Sequence, residues 1–146
     1  MEICTIGFSK KDLRDFIRLL KEAGVKKVID VRVHNTSQLA GYTKKQDLQY
    51  ILELVGIDYE HVLELAPTEE LMKNYRSKKI TREEFRDMYI ALLLERKPLE
   101  SFDLGRQPDS ICLLCAEEKP EHCHRSFAAQ YMKDNYTSKE IRIRHL

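Results

Sequence analysis

The segment Glu2-Ile3-Cys4-Thr5-Ile6-Gly7 and, beyond one helical stripe, the segment Val25-Lys26-Lys27-Val28-Ile29-Asp30-Val31-Arg32-Val33 set the architecture of this chain. The first is a short run rich in β-branched residues, and the second reads as a buried strand. Between them Leu13, Phe16, Ile17, Leu19 and Leu20 form an apolar stripe at helical spacing, with Ser9 as the expected N-cap and Gly24 as the stop. Strand, helix and strand in that order make a βαβ unit, whose strands run parallel with a right-handed crossover.

Working outward, His34 to Tyr42 is polar and small, a loop of the length that usually carries function. Thr43 is the expected cap of a second helix through Leu48, Ile51 and Leu52, stopped by Gly56, and Ile57 to Leu63 alternates as a third strand. Ala66-Pro67-Thr68-Glu69-Glu70 opens another helix with carboxylates in its first turn, where the dipole favours them. Thr81-Arg82-Glu83-Glu84 fits a capping box before a longer helix. Lys97 to Pro108 is expected to be a surface connection, and Glu140 to Leu146 alternates strictly, as an edge strand with one wet face does. The whole predicts a single domain, 1–146, with a three-layer Rossmann-like α/β fold and a mostly parallel sheet of about five strands.

Composition narrows the function classes. Apolar residues make up 42% and charged ones 34% of the 146 positions, the balance of a globular chain with a core of useful size. Because 25 basic side chains oppose 24 acidic ones, no global field recruits nucleic acid. Lys44, Lys45, Lys78 and Lys79 are the residues that would offer a local nucleic-acid contact, although lysines on charged helices are usually just solvated. Neither a signal-peptide layout nor an apolar run of membrane-spanning length is present, so the expected place is the cytoplasm. There the four cysteines are expected to be reduced unless they bind metal or serve redox chemistry.

Reactive chemistry concentrates between Ser110 and Tyr131. The apolar run Ile111-Cys112-Leu113-Leu114-Cys115 reads as a buried strand, 116–125 as a charged loop, and 126–131 as the start of a helix. Ligands of open α/β sheets sit beyond the carboxyl ends of such strands. That loop and the strand end before it carry Cys115, His122, Cys123, His124 and Arg125. Three readings stand open. In the first, Cys115 lies at a strand end before a helix N-terminus, a setting that favours thiolate, with Arg125 adding charge or holding an oxyanion. The loop has no glycine, and the separation from Cys115 to Arg125 is wider than the phosphate cradles of thiol phosphatases and sulfurtransferases. In the second, Cys115, Cys123 and His124 hold a metal, zinc being the one that suits thiolate and imidazole. Cys4 or Cys112 would be the extra ligand, although an offset of three on a strand puts Cys112 on the opposite face from Cys115 and weakens that chelate. In the third, the cysteines are small core residues and the histidine and arginine merely tie down the loop.

A second constellation supports a site. Asp30 and Arg32 fall on one side of the second strand at its end, either facing a crevice or forming a local ion pair. Gly7 and Ser9 close the first strand and offer backbone amides and a hydroxyl to the same crevice.

With these residues assembled, the chain resembles the family called Domain of Unknown Function 488. Thr5-Ile6-Gly7 with Ser9 is similar to its opening, Asp30-Val31-Arg32 to its second motif, and Cys115-Ala116-Glu117 through Pro120 to Cys123-His124-Arg125 to its signature. The segments from Asn35 to Tyr42 and from Glu64 to Thr68 resemble one branch of it. A departure is Phe8, where many members carry histidine. The resemblance implies a compact α/β domain with a crevice lined by these motifs and supplies no reaction.

The expected site is thus a polar anion-binding crevice. Cys115 serves as nucleophile or redox thiol, and His124 or Asp30 moves protons. Gly7, Ser9, Arg32 and Arg125 hold a small anionic ligand such as a phosphate or sulfur oxyanion. The alternative is a metal- or nucleotide-binding module without turnover, with zinc on Cys115, Cys123 and His124.

Overall fold

The structure, a computed structural model, describes residues 1–36, 38–117 and 119–146. In chain order the elements are β1 (Glu2–Gly7), α1 (Leu13–Glu22), β2 (Lys27–Asp30), α2 (Lys45–Leu54), β3 (Asp58–His61), α3 (Glu69–Arg76), α4 (Arg82–Arg96), α5 (Pro98–Ser101), β4 (Ser110–Cys115), α6 (His124–Asn135) and β5 (Arg142–His145). Every strand pairing is parallel, in the order β3-β2-β4-β1-β5. The opening βαβ unit is therefore split, since β4 inserts between β1 and β2 and hydrogen-bonds to both.

Period-two alternation builds three layers from this sheet. Ile3, Ile29, Ile111 and Leu113 point to one face and pack with α3, α4 and α6 through Leu71, Phe85, Tyr89, Leu93, Ala128 and Met132. Cys4, Ile6, Val28, Cys112 and Leu114 point to the other and meet Phe16 and Leu20 of α1 and Leu48 and Leu52 of α2. β1 and β2 thus lead to helices on the second face, whereas β4 between them leads to α6 on the first. A crevice opens at the carboxyl ends where such connections diverge, and Cys115 terminates β4 at that point.

Two expected caps are displaced. Ser9 gives way to Asp12, whose carboxylate accepts from the Asp15 amide, because the chain first uses the Phe8 and Ser9 amides to bond Cys115 and Ala116. Lys44 precedes α2 instead of Thr43, which is drawn inward by Arg32. The capping box at Thr81 and Glu84 forms as read. The connection after α4 is more ordered than a surface loop, since it folds into α5 and buries Phe102 and Leu104. Among the described residues no helix is long and apolar enough to cross a membrane.

Lys97 joins α4 to α5 at φ 51°, ψ 57°, the left-handed region that a Cβ disfavours. Lys97→Gly is expected to raise stability by about 0.5–1 kcal/mol, the relief exceeding the extra freedom glycine gives the unfolded chain. The denaturant midpoint reads this directly, and a lowered midpoint would show that the lysine side chain contributes more than its backbone costs.

Candidate functional site

The site forms where β4 ends and α6 begins. Cys115 is the last residue of β4, Cys123 is the N-cap of α6, and the intervening loop folds back so that the two form a disulfide across a Cα separation of 7.0 Å. The expectation of reduced thiols therefore holds for Cys4 and Cys112, which are free and buried, and is corrected for Cys115 and Cys123. In this state Cys115 is not a free nucleophile and neither sulfur is a thiolate ligand. Both chemistries require two electrons to open the bond.

His124, the first residue of α6, is buried, and its ring stands edge-on to Tyr89 at 5.6 Å between centroids. Its Nε2 lies 2.6 Å from the Val31 carbonyl oxygen, a distance that requires Nε2 to carry the proton and donate it. Burial, aided by the Arg125 and Arg76 charges and opposed by that hydrogen bond, pushes the imidazole down to about 4. The ring is therefore neutral near pH 7, with an unprotonated Nδ1 facing the disulfide, 3.6 Å from Cys115 Sγ and 3.9 Å from Cys123 Sγ. The side chain of His122, the loop's other imidazole, lies outside the described residues.

Arg125 turns away from the cavity. It is fully buried, donating from Nε to Thr5 Oγ1 at 3.3 Å and from Nη1 to the Glu117 carbonyl. Burial pulls the guanidinium down to about 10, which still leaves it charged at neutral pH. Its position depends on Gly7, where a Cβ would overlap the Glu117 carbonyl and come within 2.8 Å of Arg125 Nη1. The amides of Phe8 and Ser9 donate to the Cys115 and Ala116 carbonyls at 3.2 and 3.0 Å. Gly7, Ser9 and Arg125 thus meet at the disulfide loop, as supports around its backbone.

Asp30 and Arg32 also come together, as a nearly closed pair. Arg32 donates from Nε and Nη2 to the two Asp30 carboxylate oxygens at 2.8 and 2.7 Å, and from Nη1 and Nη2 to the Thr43 hydroxyl and carbonyl at 3.1 and 2.7 Å. Tyr59 and Asn35 complete the Asp30 shell at 2.6 and 3.3 Å. Burial works against the charge on Asp30, but these hydrogen bonds and the Arg32 charge outweigh it and hold the carboxyl below its usual range. Arg32 reaches the cavity wall with its guanidinium over the Phe8 ring, 5.5 Å from the centroid.

The cavity itself, about 1000 Å³, opens onto Cys115, Cys123 and His124. Phe8, Val33, Met72, Tyr75 and Phe85 make its walls apolar, and Lys73 and Arg76 from the exposed side of α3 stand at its rim. Across the rim, His34 Nε2 meets Glu69 Oε1 at 2.6 Å. Asp30 and Arg125 lie outside the lining.

The family described as domain of unknown function DUF488 matches residues 12–132, most of the chain and all of the Cys-to-Cys-His-Arg loop. The chain belongs to the DUF488 family. Comparison with curated proteins and with solved structures finds no match to either.

Five contributors to this DUF488 site carry no motif of their own. Val31 acts through its carbonyl, which any residue type supplies. Lys73 and Arg76 read as ordinary last-turn cations of α3, and their spacing of three, which puts them on one helical face, was the available signal. Tyr89 and Phe85 look like core positions of α4 and are, while also flanking the imidazole and the cavity.

Proposed function

We propose that this protein is a cysteine-dependent redox enzyme that exchanges the Cys115–Cys123 disulfide with a small anionic thiol or disulfide. The observation that carries the reading is a disulfide at the edge of a cavity beside an imidazole nitrogen that holds no proton. An incoming thiolate attacks one sulfur, and the other leaves as a thiolate. The leaving sulfur is stabilised by the N-terminus of α6, and its conjugate thiol can donate to His124 Nδ1. A second substrate thiol then completes the exchange. One protein disulfide and two small thiols become two cysteine thiols and one small disulfide, so atoms, protons and electrons balance.

The anionic preference rests on Lys73 and Arg76, which stand at the cavity mouth, while Arg32 and Arg125 are engaged by the protein itself. In this reading Arg32, Arg125, Gly7, Ser9 and Asp30 fix the loops, and Cys115, Cys123 and His124 perform the exchange.

The test is exchange under native conditions with two reagents of equal thiol acidity, one anionic and one neutral. The Cys115–Cys123 bond should open reversibly, Cys4 and Cys112 should stay unlabelled, and the anionic reagent should react about 3–10 times faster at low salt. Arg76→Glu should abolish that preference while leaving the neutral rate nearly unchanged. A disulfide that opens only in denaturant would refute the redox reading, and equal rates with both reagents would remove the anion.

A further inference from the structure

We infer that the opened, dithiol form of this site binds a zinc ion through Cys115, Cys123 and His124 Nδ1, so that metal occupancy is gated by the redox state of the pair. The inference rests on the reading above that the disulfide opens.

The donor set is complete for an open zinc site. The three ligand atoms lie within 4.8 Å of one another, and all three residues are buried. Tetrahedral zinc with Zn–S of about 2.3 Å and Zn–N of about 2.05 Å requires an S···N separation of about 3.6 Å. The Nδ1 to Sγ distances are already 3.6 and 3.9 Å, so the imidazole needs almost no movement. The two sulfurs must part to about 3.8 Å, and the Cα separation of 7.0 Å leaves room for side-chain rotation to do this.

Second-sphere geometry agrees. A metal-bound histidine usually donates its other N–H to a carbonyl or carboxylate, and His124 Nε2 donates to Val31. That bond fixes the tautomer and aims the Nδ1 lone pair at the sulfurs. Because Cys115, Cys123 and His124 all border the cavity, the fourth position opens onto the cavity, as in sites that keep a place for water or substrate.

The balance needs a reductant, and a small thiol of the class proposed as substrate supplies it. Two such thiols transfer two electrons and two protons to the Cys115–Cys123 bond and leave as a disulfide. Zinc then takes the place of both cysteine protons, which pass to solvent, and accepts the Nδ1 lone pair. Oxidation of the two thiolates by the small disulfide, which takes up the two electrons and leaves as two small thiolates, re-forms the Cys115–Cys123 bond, removes two of three ligands and expels the ion. Binding and exchange thus exclude one another at the same sulfurs.

The experiment titrates zinc, against a chromophoric chelator, into the full chain after native reduction and removal of reductant, and in parallel into the oxidised chain. Binding of one zinc per reduced chain, weaker by at least about 100-fold in the oxidised chain, is expected. Cobalt in place of zinc should show thiolate-to-metal absorption in reduced wild type and lose it in Cys115→Ser and Cys123→Ser. These two substitutions change one atom each, so they avoid the folding risk of removing the buried imidazole. Reduced wild type that holds zinc no better than the two serine variants overturns the inference and leaves the exchange activity standing. Equal binding by oxidised and reduced chains overturns the gating. A pair that resists native reduction overturns both this inference and the function beneath it.

Discussion

Gly7→Ala is expected to destabilise the protein by about 3–5 kcal/mol, since it combines an overpacked contact with the loss of a charge-assisted hydrogen bond. The added Cβ would overlap the Glu117 carbonyl, which is backbone and cannot rotate aside, and would press on Arg125 Nη1 at 2.8 Å. Relief requires the loop after β4 to lift, which breaks the hydrogen bond from Arg125 to the Glu117 carbonyl and strains those donated by the Phe8 and Ser9 amides to the Cys115 and Ala116 carbonyls. The same displacement moves Cys115 relative to Cys123. Native exchange should therefore fall along with the denaturant midpoint. Preserved stability with normal exchange would mean that the loop is free to reposition and that the close approach at Gly7 has no structural weight.

Arg32→Ala should cost a similar amount, about 3–5 kcal/mol at pH 7, because it removes one partner of a buried ion pair and leaves the other charged. Asp30 is fully buried, and its remaining donors are the Arg32 amide, Tyr59 and Asn35. The pH dependence carries the diagnosis. In the wild type the Asp30 carboxyl is held below its ordinary value, so its contribution is present above about pH 4 and fades as pH falls through the folded value. Without the Arg32 guanidinium, burial is opposed only by the hydrogen bonds from Tyr59, Asn35 and the residue-32 amide, so the carboxyl rises from its wild-type value. The variant then recovers part of its loss by protonating Asp30, and the gap between the two proteins should narrow from pH 7 toward pH 4. Equilibrium unfolding at several pH values reads this. A loss within about 1 kcal/mol that does not change with pH would mark the pair as solvated.

Much of the scaffold was legible because strands buried on both faces must alternate between two apolar layers, and helices must carry stripes. The segment at 2–7 therefore read clearly, as did the capping box at Thr81, whereas the strand expected over 25–33 is shorter, Lys27–Asp30, and leaves Arg32 beyond its end. The insertion of β4 between β1 and β2 was not legible, since strand order depends on long-range pairing that no local pattern encodes. For the site, the residue types in 115–125 announced themselves, but their directions did not. Arg125 follows His124 on α6, and the helical turn of one residue sends the imidazole toward the sulfurs and the guanidinium behind the loop. Arg32 faces the cavity edge as well as Asp30, and only the arrival of Thr43 from the next loop closes its donors. The disulfide was hidden for a related reason, because Cys115 and Cys123 meet only once the loop has folded back.

The placement of the other two cysteines has a consequence for how safely the molecule can be cycled. Cys4 and Cys112 sit opposite each other in register on β1 and β4, on the face that carries α1 and α2, whereas Cys115 lies an odd number of residues from Cys112 and emerges on the opposite side. Four cysteines allow three pairings, but two of these would require a bond to pass through a hydrogen-bonded sheet. The sheet therefore acts as an insulating partition between the disulfide pair and the free, buried pair. Burial also pushes Cys4 up to about 11 and Cys112 well above its ordinary range, so neither supplies thiolate to attack a neighbour. If the Cys115–Cys123 pair exchanges as proposed, repeated oxidation and reduction proceeds without scrambling, a safeguard written into strand parity and independent of any residue in the cavity.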